Sequence, residues 1–251
     1  MSNINVENSK KVEDIVSNLN SDGFYCLENV LSHELQKEFA DEISKLIKLK
    51  GKRYFSVVNV MADDDLAFKA ISNNDKLTSL LTSVAKTALK KEVAKSDSLS
   101  ILRVIHGKSS DTQSLKFHYD AFALTALIPI IIPDGPIEKS GHLVSFTNLR
   151  KFRSLFFFNL VEKAFFQNTF MRKVLSKLVI SNIEKYTHLM RPGNIYLFWG
   201  YRSLHANLPV DPDYIRATML YHFGDVHPKS IGNKFIKASR HTSEKANTDK
   251  S

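Results

Sequence analysis

The sequence predicts a mainly β protein with packed helices, whose core is a double-stranded β-helix of the jelly-roll or cupin-like type. Apolar, β-prone segments separated by turns occupy much of the chain after residue 98, which indicates a series of short strands. Apolar residues at helical spacing fill the region before it, which indicates helices outside the barrel. Candidate metal ligands follow the strand candidates in the order that a small barrel site requires.

Three segments near the N-terminus have the spacing of amphipathic helices. The first covers residues 10–20 and ends at Asp22-Gly23, the second follows Ser32 as its N-cap, and the third begins with a cap around Asp75. We expect these helices to serve as scaffold. Their apolar positions are Val12, Ile15, Val16 and Leu19, then Leu35, Phe39, Ile43, Leu46 and Ile47, then Leu77, Leu80, Leu81, Val84, Ala88 and Leu89.

The strand candidates follow in the second half of the chain. Each is rich in β-branched and aromatic residues, and turn residues such as Pro133-Asp134-Gly135 and 192–194 separate some of them. The order of strands, ligands and turns along the chain fits a double-stranded β-helix. The predicted strands cover residues 99–105, 121–132, 142–146, 195–199 and 215–223.

Three side chains, His118, Asp120 and His205, are the candidate metal ligands. Residues i and i+2 of a strand project to one face, so His118 and Asp120 can reach the same ion. Among the nine histidines only His118 has an acidic residue two positions later, and this pair alone is a weak signal. With His205 it forms the two-histidine, one-carboxylate set that holds Fe(II) on one side and leaves the other side open. Arg216, beyond His205, is placed to bind an anionic co-substrate.

Residues 150–190 are predicted to form a helical insert between core strands. Seven of the 17 phenylalanines lie between Lys151 and Phe170, and helical spacing continues through Val179. One interpretation is a second small core that buries these aromatic rings. The alternative is a lid over an apolar substrate pocket, or a contact surface for an oligomer or a membrane.

Composition limits the classes of function. We expect one domain over residues 1–226 and a basic, flexible tail over 227–251, which carries six Lys/Arg and two acidic residues. Of the net charge of +9, +4 lies in that tail and the other +5 is scattered along the rest of the chain, so a nucleic-acid partner is not expected. The single cysteine, Cys26, rules out an internal disulfide. No secretory signal or transmembrane segment is evident, and a cytoplasmic location is expected.

The chain resembles the phytanoyl-CoA dioxygenase family of Fe(II)- and 2-oxoglutarate-dependent oxygenases. Besides the four residues above, residues 22–31 are similar to that family's opening strand and following helix. Residues 140–143 resemble the family's turn before a strand, and residues 191–205 resemble the turn and strand that precede its second histidine. The chain departs from the family at residues 146–150, where a Pro-Gly-Ser-His stretch is frequent.

This resemblance implies a reaction and a role for each residue. His118, Asp120 and His205 would hold Fe(II), and Arg216 would bind the distal carboxylate of 2-oxoglutarate through two parallel hydrogen bonds. Arg103 and Thr218 are candidates for further co-substrate contacts. With O₂ as oxidant, a small organic substrate would be hydroxylated with release of succinate and CO₂.

Some alternatives and secondary candidates stay open. The substrate could be a protein, lipid or nucleic acid, or the chain could be a cupin-like metal-binding module without turnover. His222 and His227 fit less well as ligands, because they lie past the expected pocket end of the last strand. Neither the oligomeric state nor the substrate follows from the sequence. Candidates for the pocket wall are Tyr119, His142, Trp199 and Asn207.

Overall fold

The structure is a computed structural model, and it describes residues 4–6, 12–94, 98–109, 113–152 and 168–226. The helices are α1 (Val12–Ser21), α2 (His33–Lys50), α3 (Lys69–Ser72), α4 (Asp75–Leu89), α5 (Thr169–Ser181) and α6 (Ile183–Tyr186). The strands are β1 (Phe24–Leu27), β2 (Phe55–Val58), β3 (Leu99–His106), β4 (Phe122–Ile131), β5 (Leu143–Phe146), β6 (Thr187–His188), β7 (Ile195–Phe198), β8 (Leu204–Asn207) and β9 (Ile215–Asp225).

The strands form two antiparallel sheets that enclose the barrel interior. The large sheet has six strands in the order β1-β7-β4-β9-β3-β2, and the small sheet has three in the order β6-β5-β8. An isolated bridge between His118 and His205 adds the segment around His118 to the edge of the small sheet, next to β8. This arrangement is the predicted double-stranded β-helix, and the predicted fold class is confirmed.

The N-terminal helices cover the outer face of the large sheet. Ser32 caps α2, since its Oγ accepts a hydrogen bond from the backbone of Leu35 at 3.2 Å. The cap of α4 is Asn74 rather than Asp75, and its side chain accepts from the backbone of Leu77 at 2.9 Å. Apolar residues of α1, α2 and α4 pack with alternate residues of β3, β4, β7 and β9 in one core. Within the described ranges, no helix combines the length and the apolar character that a bilayer crossing requires.

A second, smaller core lies on the outer face of the small sheet. Leu175 and Val179 of α5 pack there with Val144, Leu204 and Ala206. This part of the 150–190 segment therefore contributes to a small core that is separate from the core under the N-terminal helices. At its end, residues 187–188 form a strand rather than continuing the helix, because they pair with β5. Most of the phenylalanines predicted for the insert, and the tail 227–251, lie outside the described residues.

Between the two sheets, inward-pointing side chains of the same strands face each other. Successive residues of a strand point to opposite faces, so the neighbours of core residues on β3 and β9 point into the barrel. On β9 the outward residues are apolar and join the helix-side core, whereas the inward ones include Arg216, Thr218 and His222. A third apolar cluster, which includes Leu127, Leu143, Met190, Tyr196 and Phe198, lies at this inner side.

Candidate metal centre

Antiparallel pairing between His118 and His205 brings two of the predicted ligands together. Their backbones exchange two hydrogen bonds of 3.0 Å each, so the two side chains lie next to each other and point into the barrel. The backbone N–H of Asp120 donates to the carbonyl of Gly200 at 2.9 Å, which fixes the third ligand just before β4. Residues 118–120 were predicted as part of a strand, but the structure has only an isolated bridge at His118 there.

The three ligand atoms are close enough to share one ion. Asp120 Oδ1 lies 3.7 Å from His118 Nε2 and 3.6 Å from His205 Nε2. All three atoms lie within 4.8 Å of one another. A metal about 2.1 Å from each ligand atom separates neighbouring ligands by roughly 3 Å and opposite ones by roughly 4.2 Å. The separations from Asp120 fall between these limits, so the residues fit a metal ion.

Backbone carbonyls orient both imidazole rings for metal binding. His118 Nδ1 lies 2.9 Å from the carbonyl of Lys116, and His205 Nδ1 lies 2.9 Å from the carbonyl of Ser203. A carbonyl only accepts, so each Nδ1 carries the proton and each Nε2 presents its lone pair toward the centre. Metal-ligating histidines in proteins commonly have such a partner for the second nitrogen.

Burial and charge set the protonation of the ligands. Burial, with the neighbouring His205, lowers the pKa of His118 to about 4, so this imidazole is neutral near pH 7. Burial alone would raise the pKa of Asp120, but His205 and His222 hold it well below its usual range. For His205, burial opposes protonation, yet the negative charge of Asp120 raises the pKa of the imidazole. A carboxylate and a neutral imidazole are the forms that bind metal.

The backbone of Gly200 approaches the carboxylate of Asp120 closely. A Cβ added to Gly200 would lie 2.3 Å from Asp120 Oδ2 and 2.4 Å from Thr125 Oγ1. Thr125 Oγ1 lies 2.6 Å from Asp120 Oδ2 and 3.0 Å from His222 Nδ1. His222 therefore contacts the metal carboxylate, with its Nδ1 3.8 Å from Oδ2. The expectation that it lies past the pocket end is wrong, because His222 pairs in register with Thr125, next to Asp120.

A basic group occupies the opposite end of the interior. Arg216 is 3% exposed, and its Nε donates to the carbonyl of Gly141 at 2.6 Å. Its Nη1 donates to Thr218 Oγ1 at 3.1 Å. A Cβ on Gly141 would lie 2.4 Å from Arg216 Cδ, so glycine is required where this side chain passes. Thr218 pairs in register with Arg103 of β3.

The two arginines lack an acidic partner in the described part of the chain, where the ion pairs of the interior all involve Asp120. Burial, with the charge of Arg103, lowers the pKa of Arg216 to about 9, so the guanidinium remains charged near neutral pH. A buried cation without a counterion is costly. A bound anion would offset this cost, and the structure brings together Arg216, Thr218 and Arg103, the residues for which the sequence predicts co-substrate contacts.

The pocket-wall candidates have different locations. Trp199 lies in the core between the large sheet and the helices, and Tyr119 packs at the outer side of the small sheet against the Arg150 guanidinium, 4.0 Å from the ring centroid. Neither lines the barrel interior, because each falls on the outward position of its segment. Asn207 lies on the inward side of β8, next to Leu143 in register. His142 Nδ1 accepts a hydrogen bond from the backbone of Met190 at 3.1 Å.

One interior histidine was missed by the sequence reasoning. His188 of β6 shares a 2.7 Å hydrogen bond with Ser145, which pairs in register with His205. Its ring stacks on Phe24 with centroids 3.8 Å apart, and burial lowers its pKa to about 4. Strand β6 has only two residues and follows a helix, so no periodicity in the sequence predicted its direction.

Comparisons with known proteins show the fold. No protein-family model matches the chain, and neither does any curated protein sequence. A solved prolyl 4-hydroxylase from Phytophthora capsici is similar in structure, with 13% identity, a TM-score of 0.56, and coverage of 88% of this chain and 68% of that chain. A prolyl hydroxylase from Trichoplax adhaerens, in complex with a hypoxia inducible factor peptide, has 14% identity, a TM-score of 0.54, and coverage of 85% and 89%.

A second kind of neighbour is an enzyme of small-molecule biosynthesis. The non-heme α-ketoglutarate-dependent epimerase SnoN from nogalamycin biosynthesis has 14% identity and a TM-score of 0.57, with coverage of 85% of this chain and 83% of that chain. A further SnoN structure, with a TM-score of 0.55, is a complex with Fe³⁺, α-ketoglutarate and nogalamycin RO. The similarity to the phytanoyl-CoA dioxygenase family in particular stays a prediction.

Proposed function

We propose that this protein is an Fe(II)- and 2-oxoglutarate-dependent oxygenase. The observation that carries the proposal is the joint presence, inside one barrel, of the cluster His118, Asp120 and His205 and of arginines without an acidic partner among the described residues. A metal-binding module without turnover would need the first group but not the second. A co-substrate that binds metal at one end and an arginine at the other needs both.

The donor set supports iron as the metal. Two neutral imidazole nitrogens and one carboxylate oxygen on one side of an ion leave its remaining positions open, which is the arrangement of non-heme Fe(II) oxygenases. Zinc also accepts such donors, so the ligands alone do not select the metal. The structural similarity to an α-ketoglutarate-dependent enzyme and to prolyl hydroxylases supports iron.

Arg216 is suited to the distal carboxylate of 2-oxoglutarate. Its Nε and one N–H of Nη1 are committed to Gly141 and Thr218, and these bonds fix the plane of the guanidinium. The remaining N–H groups can donate to a carboxylate in parallel, which lysine cannot do. Arg103, opposite Thr218 on β3, adds positive charge to the same end.

Iron with 2-oxoglutarate and O₂ supplies the oxidising chemistry, in which the co-substrate is converted to succinate and CO₂. The protein contributes binding, orientation and exclusion of water. The apolar residues between the two ends, such as Leu127, Leu143 and Leu220, keep water from the space beside the co-substrate.

The substrate is proposed to be a small organic molecule that becomes hydroxylated, as in the resembled phytanoyl-CoA dioxygenase family. SnoN, a biosynthetic enzyme, supports a small substrate, whereas the prolyl hydroxylase with a bound peptide supports a protein substrate. Two features favour a cytoplasmic, reducing setting. The chain has a single cysteine, Cys26, and the iron must be kept as Fe(II).

The decisive experiment uses the full chain loaded anaerobically with Fe(II). We expect that adding 2-oxoglutarate changes the visible absorption of the bound metal, and that admitting air yields succinate. Asp120→Ala and His205→Ala should abolish both, while His33→Ala, at the start of α2, should leave both unchanged. Iron that binds without responding to 2-oxoglutarate would contradict the proposal and favour a metal-binding module.

A further inference from the structure

The second carboxylate oxygen of Asp120 has its own set of partners. Oδ1 faces the two imidazole Nε2 atoms, whereas Oδ2 is turned to the large sheet, where Thr125 Oγ1 lies 2.6 Å away. His222 Nδ1 lies 3.0 Å from the same hydroxyl and 3.8 Å from Oδ2. These two residues are neighbours in register on β4 and β9. The two oxygens of one carboxylate are therefore in different surroundings.

The available donor hydrogens fix the direction of the two hydrogen bonds made by the Thr125 hydroxyl. An ionised carboxylate only accepts, so the single proton of the Thr125 hydroxyl is donated to Asp120 Oδ2. The hydroxyl can then only accept from His222, so His222 carries its proton on Nδ1. The chain of donors runs from His222 through Thr125 to Asp120, and a hydrogen bond to a charged acceptor is stronger than a neutral one.

Packing prevents each member from turning away. His222 is 4% exposed and Thr125 is 0% exposed, and the ring of Phe122 stacks on the imidazole with centroids 5.4 Å apart. The backbone of Gly200 forms the wall behind Asp120, with no room for a Cβ. The carboxylate therefore has one orientation, in which Oδ1 points to the ligand centre.

We propose that Thr125 and His222 are positioning residues that restrict Asp120 to one oxygen at the metal. The inference rests on the proposed function and deepens it. With Oδ2 hydrogen-bonded to Thr125, the carboxylate would offer only Oδ1 to a metal ion, which would leave coordination positions for a bidentate co-substrate. Without the hydroxyl, Oδ2 would lose its hydrogen-bond donor and could rotate toward the same ion, which would remove a position that 2-oxoglutarate needs.

The test uses the full chain with Co(II), whose visible absorption reports its coordination. Co(II) is used in place of Fe(II) so that no turnover occurs in air. Thr125→Val removes the hydroxyl at nearly constant volume, and Thr125→Ser restores it. His222→Leu removes the Nδ1 donor, and His222→Asn places an amide N–H near its position. Thr78→Val, which removes a buried hydroxyl from α4 far from the site, is the matched control.

We expect two effects of Thr125→Val. Its Co(II) dissociation constant should rise about 10- to 100-fold, the range typical for lost partners of metal ligands. Its Co(II) spectrum should also differ from that of the parent protein and should no longer respond to 2-oxoglutarate. Thr125→Ser and Thr78→Val should behave as the parent protein, and His222→Leu should show a smaller change of the same sign that His222→Asn reverses.

The possible results separate this inference from the proposed function. If the parent protein binds no Co(II), or binds it without any response to 2-oxoglutarate, the proposed function fails. If the parent protein responds and folded Thr125→Val responds equally, with the same affinity, the positioning role is overturned. Should Thr125→Val not fold, the comparison of His222→Leu with His222→Asn decides the question in the same assay, and equal behaviour of those two overturns the inference.

Discussion

The two faces of the large sheet use the same strands for different purposes. On β9 the outward residues Ala217, Met219, Tyr221 and Phe223 are apolar and pack under the helices. The inward residues Arg216, Thr218 and His222 are polar, buried, and contact the proposed co-substrate and metal regions. One face lowers the free energy of the folded state through burial, whereas the other keeps charged and polar groups away from water. Substitutions on the two faces should therefore change different measurements.

The largest effect is expected on the inner side, at the metal. Asp120→Ala removes the only anionic ligand of the cluster, and the affinity for Fe(II) should fall by at least about 10³-fold, equivalent to about 4 kcal/mol. Titration calorimetry under anaerobic conditions measures this. Asp65→Ala, at an exposed acidic residue, is the control and should bind iron as the parent protein does. An unchanged affinity in Asp120→Ala would remove this residue from the ligand set.

A comparable free energy is expected on the outer side, but in folding rather than binding. Phe223 is 0% exposed in the helix-side core, so Phe223→Ala should lower the free energy of unfolding by about 3–5 kcal/mol through lost burial and a cavity. Denaturant unfolding of the metal-free protein measures it. The metal affinity of the folded fraction should stay within the error of the parent value. A large loss of affinity at low denaturant would show that the two faces are not independent.

Arg216 lies on the same strand as Phe223 but does not contribute to the apolar core, so it separates the roles of the two faces. Arg216→Lys keeps a positive charge but loses the parallel pair of donors, and the concentration of 2-oxoglutarate needed for half-saturation should rise roughly 10- to 100-fold. Iron affinity should change little, since Arg216 is not one of the ligands. Anaerobic titration of the Fe(II)-loaded variant with 2-oxoglutarate measures the shift. An unchanged titration curve would exclude Arg216 as the carboxylate site.

Much of the site was predictable because it follows from strand geometry. The pair His118 and Asp120 needed only the rule that residues i and i+2 share a face, and His205 needed only a strand candidate before it. The same rule, applied along β9, would have placed His222 on the face of Arg216 and Thr218. The rule was not used there because the pocket was expected to end before His222, although the predicted strand ran to residue 223. Applied to β7 and the residue after it, the same rule would also have predicted that the side chain of Trp199 points outward.

Other parts could not be predicted because tertiary contacts determine them. The direction of His188 depends on the pairing of a two-residue strand with β5, and a segment of helical periodicity precedes it. The role of Gly200 depends on Asp120 and Thr125, which approach it from other parts of the chain. The hydrogen bond from Thr125 to Asp120 likewise depends on how β4 starts. No local pattern contains this information.

The smallest expected effect concerns His188 and the dependence of stability on pH. Burial lowers the pKa of His188 to about 4 in the folded protein, whereas an unfolded histidine has a pKa near its ordinary value of 6.5. The unfolded chain therefore binds a proton between these values that the folded protein does not. Stability is lost as the pH falls through this window, by about 2 kcal/mol between pH 7 and pH 5.

His188→Gln keeps a hydrogen-bonding group near Ser145 but cannot titrate. The variant should therefore lose about 2 kcal/mol less than the parent protein when the pH is lowered from 7 to 5. Denaturant unfolding of the metal-free proteins at both pH values measures the difference. His33→Gln, at the start of α2, is the control because that side chain is exposed. Equal pH dependence in His188→Gln and the parent would mean that His188 is accessible to protons in the folded state, and that the interior of the small sheet is open to water.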